Sequence, residues 1–193
     1  MANLQALLSS PDQSVRLKAA LAAGTYPHPD FIEILLSQCS HEPDFFVRDT
    51  LSWALMRHDQ GVVVERLKTE LISPIAQARS QALHTLSKIG DKKNYSLITE
   101  QHLLDIEDSV ASTAWRAASV LVPEEEKSAL VAILVTQLGR GDSDTQFGLT
   151  RFLCAIGEAI VGPLTEAAKS PDEEIRVQAE FTLMRFKIGR AHV

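Results

Sequence analysis

The chain is predicted to be all-α, an α-α superhelix of about six helix pairs. Three observations predict this: a six-residue motif that returns along the chain, an apolar stripe of helical period after each return, and the lack of strand signals. The motif first reads Pro11-Asp12-Gln13-Ser14-Val15-Arg16. It returns as Pro43-Asp44-Phe45-Phe46-Val47-Arg48, Pro74-Ile75-Ala76-Gln77-Ala78-Arg79 and Pro171-Asp172-Glu173-Glu174-Ile175-Arg176. Two weaker copies, Ile106-Glu107-Asp108-Ser109-Val110-Ala111 and Gly141-Asp142-Ser143-Asp144-Thr145-Gln146, lack the Pro and the Arg but keep an acid in second place. Successive last positions are 32, 31, 32, 35 and 30 residues apart.

Each motif opens the second helix of a pair. Counting the residue before the Arg position as offset 0, a helix turning about 100° per residue places offsets 0, 4, 8 and 11 on one narrow stripe. In chain order these are Val15, Ala19, Ala23, Tyr26; Val47, Leu51, Leu55, His58; Ala78, Ala82, Leu86, Ile89; Val110, Ala114, Ala118, Leu121; Thr145, Leu149, Leu153, Ile156; and Ile175, Ala179, Leu183, Phe186. The Pro/Asp/Ser cluster before each supplies a first-turn Pro or an N-cap oxygen, and Gly90 and Gly157 stand where C-caps are expected. The first helices fill the intervals. They carry Leu4 to Leu8, a short cap or docking edge; then Phe31, Ile34, Leu35; Val64, Leu67, Leu71; Leu97, Gln101, Leu104; and Leu130, Ile133, Leu134, Leu138. The chain thus reads as a single domain over 1–193, with repeats at about 1–28, 29–59, 60–91, 92–122, 123–157 and 158–188 and a frayed tail from Ile188 to Val193. No pair closes a core alone, so neighbours stack and bury one another's stripes.

Composition fits an ordered chain. Of 193 residues, 45% are hydrophobic and 23% charged, and 19 Lys and Arg against 25 Asp and Glu give a net charge of −6. An acidic balance argues against a general nucleic-acid binder, which needs positive charge to neutralise phosphates. Met1-Ala2-Asn3-Leu4 has no basic stretch before an apolar core, and the longest apolar run, Ala129 to Val135, is far short of a membrane span, so a cytoplasmic protein is expected. Cys39 and Cys154 have no CxxC partner and fit reduced thiols packed on helices.

The recurring Pro-Asp-x-x-Val-Arg, followed by alanines, resembles HEAT repeats, in particular the short bacterial type also called lyase HEAT-like repeats. The resemblance covers residues 1 to 188. It implies an inter-repeat ladder of Asp12, Asp44, Asp142 and Asp172 with Arg16, Arg48, Arg79 and Arg176. Ile75 breaks the acid row, Glu107 is a possible substitute in it, and Ala111 and Gln146 break the arginine row. The divergent junction at Gly139-Arg140-Gly141-Asp142 is expected to hold an irregular turn or a change of curvature. An Arg recurring with an Asp at fixed spacing is structural rather than a phosphate site.

The resemblance also implies that second helices line a concave side. Offsets 3, 6 and 10 then project beside the core stripe toward a groove. They are Lys18, Leu21, Thr25; Thr50, Trp53, Arg57; Gln81, His84, Lys88; Thr113, Arg116, Val120; Gly148, Arg151, Ala155; and Gln178, Phe181, Arg185. Six are Lys or Arg and none is acidic, whereas composition alone gives about two of each. Trp53 and Phe181 punctuate the row and Trp115 lies one position off it; Trp and Arg are the types most enriched at binding hot spots. Against this, Trp residues also serve as core or as inter-repeat wedges, and Arg57, Lys88 and Arg185 also suit helix C-terminal dipoles. The expected binding set is Lys18, Trp53, Arg57, His84, Lys88, Trp115, Arg116 and Arg151. Its expected partner is a protein or an acidic peptide, with a nucleic-acid backbone second.

Enzymes of this architecture give three comparisons. The iron-dependent deoxyhypusine hydroxylases need several His-Glu pairs, and here His41-Glu42 stands alone while His28, His58, His84, His102 and His192 show no ligand spacing; no metal or cofactor is expected. Alkylpurine DNA glycosylases with HEAT-like repeats use a basic concave surface with Trp, Asp and Arg, which Trp53, Asp49, Trp115, Arg116 and Arg151 imitate. DNA binding or repair is accordingly the alternative function. The bilin lyases give the repeat one of its names, yet no residue here specifically supports that activity. The leading expectation is a noncatalytic scaffold.

Overall fold

The computed structural model describes residues 2–191, and among them all regular structure is helical. Two compact units divide the chain, Met1–Ile89 and Gly90–Val193. The first holds α1 (Ala2–Leu8), α2 (Gln13–Thr25), α3 (Phe31–Cys39), α4 (Phe45–Met56), α5 (Gln60–Leu71) and α6 (Ala76–Ile89). The second holds α7 (Glu100–Leu103), α8 (Asp108–Leu121), α9 (Lys127–Leu134), α10 (Ser143–Ile156), α11 (Val161–Ala167) and α12 (Glu173–Ala191), with short 3-10 turns before or after the first helices. In each unit the second helices stack in order, α2 on α4 on α6 and α8 on α10 on α12.

The apolar stripe forms the core. Leu51, Leu55, Leu86, Val110, Ala114, Leu149 and Leu153 are buried, each leucine contributing about 1.5–3 kcal/mol relative to exposure. Tyr26 departs from the expectation, at 77% exposed, because α2 ends at Thr25 and the chain turns into Pro27 before the stripe completes its last turn. Residues 92–104 also differ from the expected single helix. A 3-10 turn, Lys92–Leu97, breaks before Thr99, which starts the four-residue α7, and His102 caps it by accepting from the Thr99 backbone N–H through Nδ1. The C-terminus is not frayed through Ala191, since α12 runs to that residue; His192 and Val193 lie outside the described residues.

Motif aspartates act as N-caps. Asp12, Asp44, Asp142 and Asp172 accept from the backbone N–H of Ser14, Val47, Thr145 and Glu174 respectively. Glu107 does not take that role: its side chain makes no cap bond, and Asp105 accepts from the Glu107 N–H instead. Motif arginines reach backwards. The Nη1 of Arg16 donates to the carbonyls of Ser10 and Pro11, that of Arg48 to Glu42 and Pro43, that of Arg79 to Ser73 and that of Arg176 to Ser170. These carbonyls lie five and six residues upstream, in the turn between the two helices of the pair, where no helix ladder can satisfy them. Arg16 also pairs with Glu42 of the next repeat and interacts electrostatically with the Asp44 and Asp12 carboxylates.

The two repeats without the arginine solve the same problem differently. Gln146 donates from Nε2 to the Gly139 and Gly141 carbonyls of its own turn, at 3.3 Å each. Ala111 offers nothing, and the next repeat supplies Arg140, whose Nη2 donates to the Asp105 and Ile106 carbonyls while Nε bonds Asp108 at 2.8 Å. Arg140 is held for this by an irregular turn in which Gly139 and Gly141 adopt φ of 80° and 74°. A Cβ on Gly141 would also lie 2.9 Å from the Thr145 side chain.

Candidate functional site

In the first unit, inter-repeat polar contacts converge on Glu42. Its carboxylate is fully buried, receives Arg16 Nε and Nη2 at 2.9 Å each, and also accepts from Gln38 Nε2 and the Asp44 N–H. Burial opposes its charge, but Arg16 and the other donors prevail and hold the carboxyl below its ordinary range. Glu42 is therefore a structural acid. Its neighbour His41 is exposed and contacts Ser40, so the His41-Glu42 pair does not point two ligands at one place. No group of three or more His, Cys, Asp or Glu that could hold a metal ion occurs among the described residues.

Lys18, Trp53 and Arg57 lie exposed on the second-helix face of this unit. Trp53 is 36% exposed because its other face lies over Gly24, where an added Cβ would come within 2.9 Å of the Ala54 Cα and overlap the indole. Only a glycine lets α2 and α4 approach around that ring. Trp53 is thus both an inter-repeat wedge and an accessible aromatic surface. His84 and Lys88 are half-buried and turn to Asp49, with His84 Nε2 at 3.4 Å and the Lys88 ammonium in a short ion pair. That partnership, Lys88 first and His84 after it, holds the Asp49 carboxyl below its ordinary range. The stripe expected to be free of acids therefore has an acid at its border, one row toward the neighbouring repeat.

Trp115 is corrected outright. It is fully buried, its indole N–H donates to the Leu103 carbonyl at 2.8 Å, and the Arg140 guanidinium lies 5.9 Å from the ring centroid. At offset 5 it faces the neighbouring repeat, as Leu83 and Thr150 do, not the open face. Arg116, Arg151 and Arg185 remain exposed on the second-helix face of this unit, and none makes an ion pair among the described residues. Gln178, counted in the open row, is buried: it accepts from the Gly139 N–H and donates to the Gln146 carbonyl, tying α12 to the turn before α10.

Sequence reasoning missed Phe147. It stands 51% exposed at offset 2, edge to face with Phe181 at a centroid distance of 5.7 Å. Beside the pair runs an open cleft of about 750 Å³ between α10 and α12. The signal available was an aromatic residue just off the core stripe, which periodicity alone does not separate from packing. Both thiols are poor nucleophiles, since burial pushes Cys39 to about 12 and raises Cys154 as well.

The family of HEAT repeats matches residues 1–72. Past residue 72 the six-residue motif recurs, and second helices stack within each unit. The chain is similar to two crystal structures of engineered proteins: one with a TM-score of 0.50 and 17% identity, covering 97% of this chain and 98% of that one; the other with a TM-score of 0.50 and 22% identity, covering 96% of this chain and 57% of that one. It is also similar to a chain in the complex of CpcE and CpcF of phycocyanin lyase from Nostoc sp. PCC7120, with a TM-score of 0.51 and 19% identity, covering 91% of this chain and 73% of that one. At such identities the likeness is one of fold. No curated protein sequence matches the chain. Among the described residues no single helix is long and apolar enough to cross a membrane.

Proposed function

We propose that the chain is a noncatalytic HEAT-repeat scaffold that takes a protein, or an acidic peptide segment of one, on its second-helix faces. The observation that carries this reading is the set Arg116, Arg151 and Arg185, exposed and without ion pairs in a chain of net charge −6. Three guanidinium forks on a rigid helical face suit carboxylates, which they bind bidentately, and a preformed surface loses little entropy on binding. In the other unit Lys18 and Arg57 are exposed on second helices, as is the half-open Trp53 ring, a smaller set of the same chemistry. Likeness to a chain from a two-protein complex fits a protein-binding role. The noncatalytic part rests on the buried Cys39 thiol and on histidines with structural partners, such as His102 in its capping box and His58 bonded to the Ala54 carbonyl.

The test is affinity capture from a cell extract, with and without nuclease. The native chain is compared with Arg116→Glu/Arg151→Glu and Trp53→Ala/Arg57→Glu variants that keep their helical circular dichroism. A protein partner that survives nuclease and is lost with either variant supports the reading. Nuclease-sensitive nucleic acid, or identical partners from all three proteins, overturns it.

A further inference from the structure

We infer that the cleft between α10 and α12 receives a basic segment of a partner polypeptide, an Arg or Lys set among apolar side chains. This rests on the scaffold reading only in supposing a polypeptide partner; the charge it selects is opposite to that taken by the arginine-bearing faces. The cleft, about 750 Å³, has the Phe147–Phe181 pair and Val177 for walls and Asp142, Glu173 and Glu174 along its mouth. No Lys, Arg or His lines it. Its apolar surfaces are open to solvent, Phe147 at 51% and Val177 at 54%, while the carboxylates at the mouth are all exposed.

Charge complementarity selects the occupant. An ammonium or guanidinium entering between carboxylates and an aromatic face gains from both, and the stem of a long cationic side chain covers apolar surface on the way in. Two helices begin at the cleft, and a helix N-terminus ordinarily favours anions. Here that option is closed, because Asp142 already accepts from the Thr145 N–H and Asp172 from the Glu174 and Ile175 N–H groups. The Thr145 backbone bond holds the Asp142 carboxyl below its ordinary range, so it is charged at neutral pH. The floor is fixed before any ligand arrives. Gln178 spans the Gly139 N–H and the Gln146 carbonyl, and the Thr150 and Thr182 hydroxyls are bonded at 2.9 Å. A rigid floor under open aromatic walls is a preorganised site, which lowers the ordering cost of binding.

Fluorescence polarisation with the full chain tests this, using a dye-labelled peptide of alternating Arg and Leu with Ser spacers. The two controls carry Gln for Arg, or Ser for Leu. The Arg/Leu peptide is expected to bind saturably, the Ser-for-Leu control about fivefold or more weakly, and the neutral Gln-for-Arg control about tenfold or more weakly. Phe147→Ala and Glu173→Gln/Glu174→Gln change exposed side chains, and each is expected to weaken the Arg/Leu peptide by about five- to tenfold. Arg116→Glu/Arg151→Glu, which disables the arginine face, is expected to leave that affinity within about twofold or to raise it. Failure of the Arg/Leu peptide to bind at millimolar concentration overturns the proposal. So does equal binding of either control, or affinity indifferent to both cleft variants, which would mean attraction to the acidic chain as a whole.

Discussion

At Glu42 a single carboxylate accepts from an arginine of the preceding repeat, a glutamine of the helix before it and a backbone N–H of its own turn. Removing it leaves Arg16 buried and without its counter-charge, so Glu42→Ala is expected to cost about 3 kcal/mol, read from urea unfolding. The pH dependence follows from its lowered folded pKa. A carboxyl depressed on folding stabilises the protein above its unfolded value, near 4.5, and loses that contribution as pH falls through the lower folded value. The thermal midpoint of the native chain should therefore drop below about pH 4.5, whereas Glu42→Gln starts lower at neutral pH and converges on the native curve in acid. A gap that stays constant across this range would contradict the assignment. At Gly24 the added methyl of Gly24→Ala collides with the Trp53 ring, and overpacking of this kind costs about 1–3 kcal/mol. Displacement of the indole into water should red-shift its emission, while Trp115, with no exposed surface, provides an unchanged blue component.

For the helices, most of the plan was legible. A stripe at offsets 0, 4 and 8 is a statement about backbone geometry, and the burial of Val47, Leu51 and Leu55 follows wherever the helix persists. Legibility failed where the answer depends on the neighbouring repeat. Periodicity identifies the two flanks of the core stripe without saying which one meets the next helix, and so it leaves Trp115, one position off the open row, within the expected binding set and does not single out Phe147. It failed again at 92–104, where Leu97, Gln101 and Leu104 keep helical spacing but Thr99 and His102 start a new turn between them. The cleft at α10 and α12 was invisible for a related reason, since its acids belong to the motif and its aromatics to two different rows. Arg140 shows the same dependence on a neighbour. Arg140→Ala is expected to cost about 1–2 kcal/mol and to speed amide exchange at the start of α8, because the Asp105 and Ile106 carbonyls lose their charged donor. Unchanged exchange there, with unchanged stability, would show that water serves those carbonyls equally well.

Within each unit the stacking contacts join residues about one repeat apart, as Arg16 joins Glu42 and Thr150 joins Thr182. Such local topology predicts folding within milliseconds, measured by stopped-flow circular dichroism, with slower phases confined to isomerisation at the eight prolines and removed by a prolyl isomerase. A slow phase that resists the isomerase would point to a non-local step that this topology does not contain. Charge works on the same scale. A net −6 surface with local arginine clusters should bind an acidic peptide less tightly as salt rises from 50 to 300 mM, since screening weakens exposed pairs. The borrowed guanidinium at position 140 bears on how such a chain is taken apart and rebuilt. Repeats are commonly treated as interchangeable bricks, but here the fourth carries a vacancy at Ala111 that only the turn of the fifth can fill. A chimera that exports the fourth repeat without Gly139-Arg140-Gly141 should inherit the vacancy, and one that exports both should travel intact. In this region the unit of inheritance is the junction, not the repeat.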